Sequence, residues 1–95
     1  MTWGLRLRAI GPNPFQARTE LAYDLARQAR VTLRIYDVSG RLVRSLVPGA
    51  VQQAGHHSAQ WDGRDGTGAV TGPGLYFGRL EAGAESDVRR LVRIR

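Results

Sequence analysis

Residues 61–68, WDGRDGTG, gather two aspartates, three glycines, an arginine and a threonine behind a tryptophan. Such a stretch could bind calcium, cradle a phosphate or make a tight turn. A calcium loop of the EF-hand kind needs oxygen ligands at positions 1, 3, 5 and 12. Counted from Asp62, positions 3, 5 and 12 are Arg64, Gly66 and Pro73, so three of the four ligands are missing. A looser site using Asp62, Asp65 and backbone carbonyls stays open. Gly63 and Gly68 have the spacing of a phosphate-binding loop, but Ala69 and Val70 stand where its lysine and magnesium-binding hydroxyl belong. The turn reading uses every residue. Asp62 and Asp65 accept bonds from nearby amides, Gly63, Gly66 and Gly68 supply positive φ at no steric cost, and Trp61 plugs the edge of a core. Trp61, Asp62, Gly63, Asp65 and Gly68 are therefore read as a structural turn, with no metal and no cofactor.

Catalytic chemistry finds no other foothold, and the chain is not expected to be an enzyme. His56 and His57 are adjacent, so on a strand they face opposite ways and cannot chelate one metal or act together as base and orienter. Ser58 gains no activation from lying beside them in sequence. The few carboxylates are not paired by any spacing that acid and base work requires.

The 95 residues allow one domain, 1–95, with one modest core. A domain this small buries roughly 60–65% of its unfolded surface. No stretch is apolar for the length of a membrane helix, and the opening MTWGLRLRAIG lacks the apolar run and small-residue cleavage site of an export signal. Membrane insertion is not expected. With no cysteine, disulfides and thiolate metal sites are excluded, whereas compartment is left open. All 14 basic side chains are arginine, a bias that suits a GC-rich genome as well as a demand for guanidinium. The net charge of +6 is uneven: residues 1–47 have eight arginines against three acids, and residues 48–95 six against five. A basic face attracts nucleic acid, anionic glycans or lipopolysaccharide. Here the arginines alternate singly along apparent strands, as in LRLRAI and VTLRIYD, which a solvated sheet face explains. No nucleic-acid reading motif accompanies them.

The elements that must position these residues are strands. LRLRAI (5–10) and VTLRIYDV (31–38) alternate with period two, placing Leu5 and Leu7, and then Val31, Leu33 and Ile35, on single faces. TELAYDL (19–25), RLVRSLV (41–47), HHSAQW (56–61), LYFGRLE (75–81) and RRLVRIR (89–95) complete seven short segments divided by Gly, Pro, Asn, Asp or Ser. Their spacing predicts an all-β sandwich of about seven antiparallel strands. Asp37, Ser39 and Gly40 sit where a tight hairpin wants them, so 31–38 and 41–47 should pair directly. No long helix is expected.

The ordered series GPNPF, IYDVSGRLVRSL, AGHH, WDGRDGTG, GLYFGRLEAG and RRLVRIR closely resembles the type A C-terminal sorting domains of type IX secretion cargo, themselves related to the immunoglobulin-like domain of the flagellar hook-capping protein. The likeness covers 11–95. It implies an immunoglobulin-like sandwich, monomeric and non-catalytic, at the end of a larger exported protein that is often a hydrolase. In such proteins the domain is an address read by the outer-membrane secretion machinery, which delivers the cargo through the periplasm to the cell surface or the medium. By matching position, Asn13, Pro14 and Phe15 look like the family's opening kink, Tyr36 to Arg41 its hairpin, Trp61, Asp62, Gly63 and Asp65 its turn, and Leu91 to Arg95 its terminal strand. Gln16-Ala17 replaces a frequent second Asn-Pro, Arg90-Leu91 a frequent Lys-Met, and Gly78 a bulky residue.

On the terminal strand, Arg89, Arg90, Arg93 and Arg95 cluster more charge than folding requires and are candidates for recognition. Two other classes remain beside sorting: a structural assembly domain of the hook-cap kind, and a carbohydrate-binding module. A sugar module needs an exposed aromatic platform. Of Trp3, Trp61, Tyr23, Tyr36, Tyr76, Phe15 and Phe77, most are wanted for the core and Trp3 alone looks free.

Overall fold

The computed structural model describes residues 5–95, so Trp3 lies outside the described residues. Seven strands run in order: β1 (Leu7–Gly11), β2 (Thr19–Leu25), β3 (Ala29–Asp37), β4 (Leu42–Gln52), β5 (Gly55–Trp61), β6 (Gly74–Ala82) and β7 (Glu85–Arg93). They form a three-stranded sheet, β1-β2-β5, and a four-stranded sheet, β4-β3-β6-β7, with antiparallel pairing throughout. This is the expected all-β sandwich.

Alternation decides which side chains meet between the sheets. Leu7, Leu21, Tyr23 and Leu25 come from one sheet, and Val31, Leu33, Ile35, Leu80 and Leu91 from the other, all buried in one cluster. Leu5 packs partly against it, on the face that it shares with Leu7. Gly78 has its place in this layer: a Cβ there would lie 3.4 Å from Leu21 Cδ1 and 3.6 Å from Leu7 Cδ2, in ordinary contact, so the opposing leucines leave room for a methyl group but not for a bulky side chain.

The strands depart most from expectation at two boundaries, while β1 begins two residues later, β3 two residues earlier, and β7 ends two residues short of Arg95. β4 runs on through Pro48 and Gly49 to Gln52, with register shifts along its pairing with β3. It is an edge strand, and Pro48 lies opposite Thr32 beside a register shift, the setting in which a sheet tolerates a residue without an amide proton. β7 starts at Glu85, because Ala82 pairs with Glu85 across a two-residue turn whose Gly83 has φ 61°. The polar Glu85-Ser86-Asp87 start has no apolar alternation to reveal it.

The outermost strands are closed by side chains. Asp87 Oδ2 accepts from Leu7 N at 2.8 Å, and Arg89 Nε donates to Leu7 O. Two side chains of β7 thus satisfy a backbone N–H and C=O of β1 in place of a neighbouring strand.

Candidate functional site

The turn residues singled out by sequence lie together after β5, where the loop touches β4 through Arg44 and Val43 and the terminal strand through Gly63 and Arg93. Trp61, at the end of β5, is fully buried. Its ring meets Phe15 edge-on at 5.4 Å and Tyr76 at 5.1 Å between centroids, and its Nε1 donates to Arg64 O at 2.9 Å. The indole therefore fastens the following loop to the core, satisfying its one polar atom as it does so.

Inside that loop, Asp62 Oδ1 accepts from Arg64 N at 3.0 Å and faces Arg44 Nη1 at 3.2 Å. Asp65 Oδ1 accepts from Thr67 N at 2.9 Å, Thr67 Oγ1 at 2.6 Å and Ala69 N at 3.1 Å. The Thr67 hydroxyl, followed by amides of the turn, holds the Asp65 carboxyl below its ordinary pKa. Gly68 takes φ 90° to close the turn, whereas Gly66, also expected at positive φ, does not adopt it. Gly63, at φ 74°, is pressed against the terminal strand: a Cβ would stand 2.8 Å from Arg93 Nε.

A second turn repeats this wiring. Asp37 Oδ1 accepts from Ser39 N at 3.0 Å, Ser39 Oγ at 2.6 Å and Arg41 N at 3.0 Å. The Ser39 hydroxyl and then the Arg41 amide lower the Asp37 pKa. The two turns border an open cleft of about 640 Å³, also lined by Arg44 and Tyr76. One oxygen of each aspartate is occupied by its own turn, and among the described residues no three His, Cys, Asp or Glu side chains gather as metal ligands. His56 and His57 point apart: His56 Nδ1 lies 3.0 Å from Asp24 Oδ1, whereas His57 stacks on Tyr23 at 5.6 Å.

The terminal strand is held by the Asn-Pro-Phe segment, through contacts that sequence alone did not disclose. Phe15 N donates to Val92 O at 2.9 Å, and Ile94 N to Phe15 O at 2.8 Å. Asn13 Nδ2 donates to Arg90 O at 3.0 Å, while its Oδ1 accepts from Val92 N at 2.9 Å. Gln16 Nε2 adds a bond to Arg95 O. The segment lies along the outer edge of β7 as a short substitute strand and hides it from further pairing. The only signal for this was the Asn-Pro-Phe tripeptide itself.

The four candidate arginines do not share a face. Arg89 and Arg93 alternate with exposed positions on the side of the buried Leu91: Arg89 reaches Leu7, and Arg93 packs behind Gly63 with its Nε buried and unpartnered. Arg90 points outward and is exposed, while Arg95 lies beyond the strand end, also exposed. The strand brings Arg89 and Arg93 into structural contacts and leaves Arg90 and Arg95 to solvent. Among the aromatics, Phe15, Tyr23, Trp61 and Tyr76 are buried, but Tyr36 and Phe77 pair on the outer face of the four-stranded sheet.

The FlgD Ig-like domain family matches residues 13–86. No curated protein matches the sequence. Among solved structures, latent dimeric PorU from Porphyromonas gingivalis superposes with a TM-score of 0.71 at 20% identity, covering 95% of this chain and 9% of that one. FlgD from P. aeruginosa gives 0.63 at 22% identity, covering 97% of this chain and 74% of that one. PorZ of P. gingivalis, an essential bacterial surface component of the type IX secretion system, gives 0.59 at 20% identity, covering 97% and 12%. The chain thus spans a small part of PorU and PorZ. At these identities the likeness is one of fold.

Proposed function

The chain belongs to the FlgD Ig-like domain family, and on that premise we propose that it is a non-catalytic sorting and anchoring domain of type IX secretion. In this reading it is borne by a larger exported protein, with a hydrolase as the expected cargo. The outer-membrane machinery recognises the domain, and the cargo passes from periplasm to cell surface or medium. The observation that carries the reading is the interlock at the terminal strand. Phe15 bonds to both Val92 and Ile94 and packs on Trp61, whose loop presses Gly63 on Arg93. A signal read from a folded domain is best presented by a strand held in fixed geometry, and this interlock would hold β7 so. The shared sandwich of PorU and PorZ supports the setting through fold alone.

A structural assembly domain is the second reading, favoured by the family match itself. A fusion of residues 1–95 behind a reporter with an export signal separates the two. The whole stretch is needed, since Leu7 of β1 is fully buried. The reporter should cross the outer membrane of a host that has the type IX machinery. Arg90→Gln with Arg95→Gln should reduce export without changing the melting temperature. Deleting Leu91 to Arg95 would remove a core leucine and test folding instead. Retention of the reporter in the periplasm with the intact, folded domain would defeat the sorting reading and leave the assembly domain.

A further inference from the structure

The outer face of the four-stranded sheet carries a pattern that neither core nor turns explain. Cross-strand register sets Leu42, Tyr36, Phe77 and Arg90 in one row, and Ser45, Arg34, Arg79 and Val88 in the next. Leu75 and Val92 pair beside the first row. Arg34 and Arg79 stand directly opposite each other, and like charges so placed are destabilising. Arg34 Nε and the neighbouring Ser45 Oγ are buried without a hydrogen-bond partner. Of the residues facing outward on β3, β6 and β7, only Glu81 is acidic, and its Oε1 is 3.9 Å from Arg79 Nε. Among the described residues, neither Arg34 nor Arg90 takes part in an ion pair.

We propose that this face docks a protein partner with an acidic and aliphatic surface, its carboxylates received by Arg34, Arg79 and Arg90 and its apolar side chains seated on Leu42, Val88 and Val92. Guanidinium suits this role because its planar fork binds a carboxylate with two parallel bonds. A carboxylate between Arg34 and Arg79 would turn their repulsion into attraction. The exposed apolar groups decide between partner classes. Leu42 is 50% exposed, Val88 43% and Val92 36%, whereas the rings of Tyr36 and Phe77 are half-buried between them. A sugar platform needs open ring faces, and a nucleic acid or sulfated glycan has no use for exposed aliphatic groups. Such a face would hold its partner whether or not the domain travels by type IX export.

The test uses the whole chain, isotopically labelled, and follows amide shifts in nuclear magnetic resonance at low salt. The probe is a ten-residue peptide of alternating glutamate and valine, set against an all-glutamate peptide, a heparin fragment and a neutral glucan oligosaccharide. Shifts should concentrate on outward positions of β3, β6 and β7 and at Leu42 of β4, with the mixed peptide bound more tightly than any other probe. Arg79→Gln with Arg90→Gln should weaken it by roughly tenfold or more, the scale of losing charge-assisted bonds. Arg6→Gln with Arg27→Gln removes equal charge elsewhere and should matter less than about twofold if site and not net charge is at work. Arg79 and Arg90 are largely exposed, so both variants should fold, and the melting temperature verifies this. Equal losses in the two double variants, shifts scattered over the surface, or no saturable shift on this face would overturn the proposal. Tighter binding of heparin or glucan to the same face would overturn it in favour of a glycan.

Discussion

The two Asp-x-Ser/Thr-Gly turns are wired alike and situated differently. In each, one carboxylate oxygen accepts from the residue two on, through both amide and hydroxyl, and from the amide four on. In each, backbone bonds join the aspartate amide to the carbonyl four on and the glycine amide back to the aspartate carbonyl. The Asp37 turn then merely joins β3 to β4, and its Val38 is 71% exposed. The Asp65 turn is clamped between Trp61, whose Nε1 bonds to Arg64 O, and Val43, whose carbonyl accepts from Gly66 N at 2.9 Å. Local chemistry makes the turn, and the surroundings determine how far damage to it spreads.

The largest difference should come from the residues that tie each turn to the fold. Trp61→Ala removes a fully buried indole that touches Phe15 and Tyr76, and should cost about 3–5 kcal/mol in urea denaturation. Val38→Ala, within the first turn and exposed, should stay within about 0.5 kcal/mol, since nothing there anchors that turn to the core. Comparable losses for both would abolish the distinction between a clamped and a free turn.

Next in size is the glycine comparison. Gly40 has φ 84° and open space where a Cβ would stand, with no atom within 4 Å, so Gly40→Ala meets only the left-handed backbone penalty, about 1–2 kcal/mol. Gly63 adds contact with Arg93 Nε at 2.8 Å, and Gly63→Ala should lose a further amount of about 1–3 kcal/mol from overpacking. Adding Arg93→Ala to Gly63→Ala should restore part of that excess. Additive losses in the double variant would mean that the two sites are independent.

Smaller still is the response to acid. Both Asp37 and Asp65 have pKa values lowered by their turns, chiefly by the Ser39 and Thr67 hydroxyls. A carboxylate with a folded pKa below its unfolded one stabilises the fold fully above the unfolded value. The contribution falls away as pH drops through the folded value. The midpoint of denaturation should therefore decline below the ordinary carboxylate range, and more steeply in the native protein than in Asp37→Ala with Asp65→Ala. Each single change should flatten the curve, with Asp65→Ala costing more at neutral pH because its turn is clamped. An unchanged acid limb in the double variant would place the acid sensitivity elsewhere.

What sequence disclosed and what it hid follow the same division between local and distant chemistry. TELAYDL spans the same residues as β2, the Ser39-Gly40 hairpin joins the strands expected, and Trp61 is buried, because each depends on alternation or on atoms within a few residues. The bonds of Asn13 to Arg90 and Val92, and of Asp87 and Arg89 to Leu7, join residues about 80 apart, and no periodicity encodes them. Arg89, Arg90, Arg93 and Arg95 form one cluster only along the chain. Pleating divides them, and the neighbours of Arg90 are instead Phe77 and Tyr36, on strands distant in sequence.

The smallest effect expected is none, and it tests whether the similarity of the two turns extends to their being complete without an ion. Asp65 Oδ1 already accepts three bonds within its turn, as Asp37 Oδ1 does. A calcium ion at Asp65 would have to displace some of these or use only the second oxygen, whereas calcium sites gather six to eight oxygens. Asp62 cannot readily help, since its Oδ1 is engaged by Arg64 N and faces Arg44. A ligand that binds only the folded state must raise the melting temperature by mass action. Adding calcium at millimolar concentration should thus leave the melting temperature in place. A rise of several degrees, lost in Asp62→Ala or Asp65→Ala but kept in Asp37→Ala, would reveal a structural calcium site in the clamped turn and end the equivalence of the two.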